Sequence, residues 1–232
     1  MVLPGGLSPG GESHETLVRV RLLHSALRWH LVRSKRFTHP TEVPINQQDL
    51  AITNALFGYM NLRSLRQLGV ALSKDEVDSW MLMWRYAGHL LGIHDELLPR
   101  SLLDQSEFMM ASMKHQCRPE KMNEGSKAIL DAVADKLAED SRGLFPQSSA
   151  RRFLHQMTRF LSGPEYISGM RIVNEGDWYW GIITMRVLGR LTSFVAHIPV
   201  LGEPLLYNLN MLHMQRFFNA RHLKTAGHAA RL

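Results

Sequence analysis

Ser13–Lys35 reads SHETLVRVRLLHSALRWHLVRSK, and this stretch decides how the rest of the chain is understood. At helical spacing Leu17, Val20, His24, Leu27 and Leu31 share one face, in steps of three and four. Ser13 is the expected N-cap, Glu15 stands in the first turn, and Lys35 and Arg36 lie near the last, where their charges complement the helix dipole. Such a helix spans roughly 33 Å, against a radius of gyration of about 17 Å for a domain of this size, so it is expected to run through the middle. His24 sits at the centre of the apolar stripe, with Arg21 one turn before it and Arg28 one turn after. The spacing leaves two readings open. One is a core imidazole hydrogen-bonded to a neighbouring helix, the commoner fate of a buried histidine. The other is a haem ligand, with iron on a ring nitrogen, porphyrin on the apolar wall and propionates on the arginines.

The remaining 232-residue chain narrows the class. With 45% hydrophobic and 21% charged residues it has the composition of a globular protein with a sizeable core. The single cysteine, Cys117, excludes an internal disulfide and any cysteine zinc cluster. The formal charge of +6 is spread along the chain, and the doublet Arg151-Arg152 lacks the aromatic interleaving of nucleic-acid grooves. Nucleic acid is therefore not an expected partner, while peripheral association with an anionic membrane stays open. Met1–Glu12 has neither the basic nor the apolar region of a signal peptide. The most hydrophobic run, Trp178–Leu201, contains Arg186 and Arg190, each costing about 2.5–3.5 kcal/mol near a bilayer centre. It reads as a buried helix rather than a span.

Along the chain, residues 1–12 are Gly/Pro-rich and expected to be disordered, and residues 13–232 form one helical domain. A turn segment with Pro40 and Pro44 leads to a second helix at Asn46, with Asp49 in its first turn and an Ile45–Leu50 staple. That helix is expected to carry Leu50, Thr53, Phe57, Met60 and Leu68 inward and to stop at Gly69. Ser73 and Glu76 form a capping box for a third helix, with Val77, Trp80, Trp84, Ala87 and Leu91 on one face. Gly88 and Gly92 stand one turn apart in it. Glycine in a helix interior costs about 1 kcal/mol, so the pair implies close approach by another backbone or by a flat ligand. Beyond Pro99, Ser101 caps a Met-rich helix (Met109, Met110, Met113), and Pro119 opens another in which Ile129, Val133 and Leu137 face in. An irregular segment, SGPEYISGMRIVNEGD, separates a helix near 150–161 from two apolar helices at about 177–196 and 205–222. No stretch alternates long enough to demand a sheet. The expected fold is all-α, a single domain of about eight helices. No Gly-rich phosphate loop, HExxH or GxSxG motif is present, and His89, His94, Asp95 and Glu96 lack the helical spacing of a metal site.

Taken together, Val20–Arg28 (VRLLHSALR), Pro44–Met60 (PINQQDLAITNALFGYM) and Trp80–Pro99 (WMLMWRYAGHLLGIHDELLP) resemble the catalytic region of the latex-clearing rubber oxygenases and mpaB-type oxygenases. The resemblance covers residues 17–100 well and the rest in helical outline. It implies an all-α haem b enzyme that cleaves or oxygenates a carbon–carbon double bond of an apolar isoprenoid-like substrate with dioxygen. It names no electron-transfer partner. By the match His24 is the proximal iron ligand, and Arg21, Arg28, Thr53 and Trp84 fall on recurring family positions. In that family a preceding helical region supplies distal-side residues, including an arginine, a lysine or threonine and an acidic group. Here residues 1–12 offer only Glu12, so the expectation is either an upstream segment or a member without the distal wall. The alternative to an oxygenase is a non-catalytic haem- or lipid-binding helical protein.

Overall fold

The structure, a computed structural model, describes residues 5–35, 37, 43–116, 123–141, 146–163, 179–198, 202, 204–209 and 211–212. Among these, eight principal helices follow one another: α1 (Glu12–Arg33), α2 (Gln47–Ala55), α3 (Asn61–Gln67), α4 (Lys74–Leu90), α5 (Leu102–Gln116), α6 (Asn123–Asp140), α7 (Gln147–Ser162) and α8 (Tyr179–Ala196). A π-helical turn, Leu56–Met60, joins α2 to α3, and a 3-10 turn spans Asp95–Leu97. No strand occurs among the described residues. The all-α expectation holds.

Local signals set the helix ends. Asn46 and Asp49 form a reciprocal capping box at α2, and Ser73 and Glu76 form another at α4. Ile45 packs on the cluster that contains Leu50, as a staple requires. At α5, Ser101 Oγ accepts from the Asp104 N–H while Asp104 accepts from the Arg100 N–H. Two glycines stop helices in Schellman turns: after Gly69 (φ +84) the Val70 N–H returns to the Leu65 carbonyl, and after Gly92 (φ +86) the Ile93 N–H returns to the Gly88 carbonyl. Gly92 thus ends α4 and does not stand in its interior. At α1 the expected cap is displaced: Gly11 is the N-cap, with no side-chain bond, and Ser13 lies inside the helix. Residues 5–11 make a run of hydrogen-bonded turns, with the Gly11 N–H on the Ser8 carbonyl and the His14 N–H on the Gly6 carbonyl.

The core lies between α2, α4 and α5, not around α1. Its clusters join Leu50, Ala51, Ile93 and Leu98; Ile52, Ala55 and Met109; and Leu62, Val77 and Met81. No residue of α1 is fully buried, so the helix expected at the centre lies on the outside, with Leu17, Val20, His24 and Leu31 half-buried and Leu27, expected on the same face, exposed. In α2 the buried residues are Leu50, Ala51, Ile52, Asn54 and Ala55, whereas Thr53, and Phe57 in the π-turn that follows, are exposed. Ala51 and Ala55 leave room for α4 and α5 to pack closely on α2.

The same substitution of small for large recurs. In α6 Ala134 is buried against α7 while Ile129 and Val133 point to solvent; Leu137 is half-buried as expected. In α5 Met109 is buried but Met110 is exposed, and the side chain of Met113 lies outside what is described. In α8 only Gly189 and Ser193 are buried, which overturns the reading of a buried helix. Gly189 meets the Leu68 carbonyl, and Ser193 Oγ accepts from the Ala71 N–H at 2.7 Å. No helix among the described residues is long and apolar enough to cross a membrane. Pro119, the irregular segment 164–178 and the last helix beyond residue 212 lie outside the described residues.

Candidate functional site

Helix α1 crosses the corner where α2 begins and α4 ends. Arg28 reaches over that corner, its Nε donating to the Pro44 carbonyl at 3.2 Å and its Nη2 to the Ile45 carbonyl at 2.6 Å. Arg21, two turns earlier, lies over Gly92, where a β-carbon would stand 2.8 Å from Nε and 2.9 Å from Cζ. Gln47 ties the corner from beneath, donating to the Gly92 carbonyl and accepting from the His94 N–H, both at 2.9 Å. His24 is one turn from each arginine, on a helix held at both places.

The imidazole of His24 is half-buried, and its Nδ1 is sealed from solvent with no hydrogen-bond partner. The hydrogen-bonded core histidine therefore lacks its bond at that atom. Next to α1, α4 contributes aromatic surface. Trp84 stacks on Phe57 (centroids 5.2 Å apart, planes 10° apart) and meets Trp80 at 6.1 Å. The Trp80 indole donates to the Gly58 carbonyl in the π-turn at 2.9 Å, whereas the Trp84 indole N–H is buried without a partner.

The other expected site residues fare differently. Gly88 is buried, but its open side faces the protein: a β-carbon there would meet Leu98 Cδ2 at 2.6 Å and Asn54 Nδ2 at 3.1 Å. It serves close packing and presents no flat surface outward. Thr53 is exposed, and its hydroxyl donates to the Asp49 carbonyl within its own helix. His89 pairs with Asp95 at 3.1 Å, and no cluster of three potential metal ligands occurs among the described residues. The structure adds residues that periodicity did not single out. Asn54 and Gln105, 3% and 2% exposed, each leave an amide oxygen unpaired, and His155 on α7, 4% exposed, has neither ring nitrogen bonded. Their only sequence signal is a polar residue at a position whose helical neighbours are apolar.

Comparison with known proteins places this architecture. A "Rubber oxygenase" of Streptomyces sp. (strain K30) is 28% identical over 94 residues, which is 39% of this chain and 23% of that relative. A solved structure of latex clearing protein LCP in the closed state superposes with a TM-score of 0.67 at 18% identity, over 88% of this chain and 54% of that one. The likeness to that structure is one of fold, and the chain spans about half its length and about a quarter of the curated relative. The family described as "ER-bound oxygenase mpaB/B'/Rubber oxygenase, catalytic domain" matches residues 2–194, and the chain belongs to that family.

Proposed function

We propose that the chain is a haem b-dependent oxygenase domain acting with dioxygen on a carbon–carbon double bond of an apolar, isoprenoid-like substrate, with His24 as the iron ligand. The observation that carries the reading is the unpartnered, buried ring nitrogen of His24 in an otherwise apolar stripe. Burying a polar atom without a bond costs about 1–3 kcal/mol, a cost offset if the ring serves a ligand. Leu17, Val20 and Leu31 beside it offer the apolar wall that a porphyrin requires.

Of the five residues expected at the cofactor, His24 and Arg21 keep that role. Arg28 has Nε and Nη2 committed to backbone carbonyls, so its part is to fix α1, and through it His24, over the α2–α4 corner. Arg21, at the exposed edge, is the guanidinium placed to pair a propionate. Thr53 and Gly88 face other ways and are not assigned to the cofactor. A haem held in this way supplies dioxygen activation. The chain's own contribution is to orient one imidazole, screen it from water with apolar side chains, and offer a surface on which an isoprenoid chain is soluble. His155 also has unpaired ring nitrogens, but it is enclosed within α7 packing, and its burial leaves no open face for a flat macrocycle.

Haem titration followed by absorption spectroscopy tests the assignment. Wild-type protein is expected to develop a Soret band at one haem per chain. His24→Ala is expected to lose most of it while circular dichroism stays helical, and added imidazole to restore part of it. A normal band in His24→Ala, with loss in His155→Ala, would move the ligand to α7. Turnover of an isoprenoid is measured separately on the loaded protein.

A further inference from the structure

Helix α1 has a second ordered side, away from the core. Val18, Leu22, Ser25, Trp29 and Val32 follow one another in steps of four and three, the spacing of a two-helix seam rather than of a broad core face. The seam lies about a third of a turn around the helix from His24 and runs about 21 Å at the helical rise. All of these residues are exposed, Leu22 to 64% and Trp29 to 62%. The chain immediately on either side of α1 is described, and it leaves the seam open. Residues 5–11 turn against the first turn, with the His14 N–H on the Gly6 carbonyl, and Ser34 and Lys35 close the last turn on the His30 and Val32 carbonyls. Isolated exposed apolar residues are ordinary, but a run in register on one helix marks a docking surface.

The charges select the partner. The first turn of α1 holds Glu12 and Glu15, and its last turn holds His30 and Arg33. A parallel pair of such helices would set Glu15 against Glu15 and Arg33 against Arg33. Reversing one helix about Ser25 matches Val18 with Val32 and Leu22 with Trp29, and brings Glu15 of each copy beside Arg33 of the other. It also opposes the two helix dipoles. Ser25, the smallest residue of the seam, then falls on the two-fold axis, where the helices come closest. The Arg33 guanidinium lies over the Trp29 ring, 5.1 Å from its centroid, which keeps the charge at the edge of the seam. Glu15 accepts from Arg19 at 3.0 Å through Oε2, so its Oε1 faces the new contact. On the other edge Arg21 and Arg28 would meet their counterparts, but both are turned back onto their own protein. Arg28 donates to the Pro44 and Ile45 carbonyls, and Arg21 lies over Gly92. A partner of a single charge sign would satisfy only one end of the seam.

We infer that α1 pairs antiparallel with α1 of a second copy of this chain, through the Val18–Val32 seam and a symmetric pair of Glu15–Arg33 contacts. The inference is independent of the haem reading, because the seam leaves the His24 side of the helix uncovered. Sedimentation velocity of the full chain over a range of concentrations tests it. The wild type is expected to pass from monomer to dimer as concentration rises. Leu22→Ser and Trp29→Ser together are expected to weaken the dimer about tenfold or more. Glu15→Arg alone is expected to weaken it, and Glu15→Arg combined with Arg33→Glu to restore it. Ser25→Cys, with the single native cysteine removed by Cys117→Ser, is expected to cross-link two chains on mild oxidation. Val18→Cys in the same background is not, because only the residue on the axis meets itself at disulfide distance. Circular dichroism melting of each variant confirms that these exposed substitutions leave the fold intact. Three results would overturn the proposal. One is a wild type that stays monomeric at every concentration. If that monomer instead binds vesicles of phosphatidylcholine and phosphatidylglycerol, and Trp29→Ser abolishes the binding, the seam belongs to a lipid surface. Another is self-association unchanged by Leu22→Ser with Trp29→Ser. The third is cross-linking through Val18→Cys as readily as through Ser25→Cys, which denotes a parallel pair.

Discussion

The guanidinium of Arg21 lies across the Cα of Gly92, so near that a β-carbon there would stand 2.8 Å from Nε. Two separate demands meet at this glycine: a φ of +86, needed to end α4, and an absent side chain, needed to seat α1. The cation also sits at the negative end of the α4 dipole, where it is favourable. The height of α1 over α4, and so of His24, is set here.

Gly92→Ala is therefore expected to destabilise the fold by about 1–3 kcal/mol, and Arg21→Ala in the same background to recover part of that loss. Urea unfolding of both single variants and the double variant measures the coupling. Strict additivity would show that the backbone conformation alone explains the glycine.

Arg28 makes the second attachment of α1. Removing it in Arg28→Ala deletes two hydrogen bonds to the Pro44 and Ile45 carbonyls, with an expected loss of about 1–3 kcal/mol. Arg28→Lys keeps the charge but not the fork, so it is expected to recover little. If lysine restores full stability, charge rather than geometry secures the helix. On the proposed haem assignment, Arg28→Ala should lose haem only as far as α1 undocks, detected as hydrogen exchange along residues 12–33.

Gly88 gives a sharper result. A methyl group there would be 2.6 Å from Leu98 Cδ2 and 3.1 Å from the Asn54 amide, so the gain in helix propensity of about 1 kcal/mol is opposed by overpacking of about 1–3 kcal/mol. Gly88→Ala is expected to be neutral or destabilising, and Gly88→Leu to prevent folding at moderate temperature. A stable Gly88→Leu protein that merely fails to take up haem would place the glycine in the cofactor site after all.

The capping box at α4 predicts a pH dependence. The Ser73 hydroxyl and then the Ser73 N–H, each 2.7 Å from Oε2, hold the Glu76 carboxyl below its usual range. A depressed folded-state value stabilises the native protein above the ordinary carboxylate value, and that contribution is lost as the pH falls through the folded value. Glu76→Gln keeps the box geometry but cannot titrate. At neutral pH it should be less stable than wild type by about 0.5 kcal/mol, less than a full cap is worth because the site is near solvent. The gap should close on acidification, as paired thermal melts from neutral to acidic pH would show. A gap that widens toward low pH would reverse the sign argued here.

Helix existence, caps and stops were legible in the residues themselves, because those signals are local. Asn46 with Asp49, Ser73 with Glu76, and Ser101 with Asp104 satisfy backbone groups within one turn, and Gly69 and Gly92 relieve φ strain wherever the chain folds. The His24 stripe and the neighbouring Arg21 and Arg28 were legible for the same reason, since their spacing puts them on one side of one helix. What only the tertiary structure decided is which side of each helix is covered, and by what. Periodicity weighs large apolar residues, so it turned Thr53 and Phe57, Ile129 and Val133, and the whole of α8 inward. Packing also weighs distance between backbones, and the small residues Ala51, Ala55, Gly88, Ala134 and Gly189 are buried while large neighbours such as Phe57, Ile129 and Val133 stay exposed. The peripheral place of α1, the use of Arg28 on carbonyls rather than on an anion, and the seat of Arg21 on Gly92 depend on contacts between segments far apart in the chain. No local pattern encodes them.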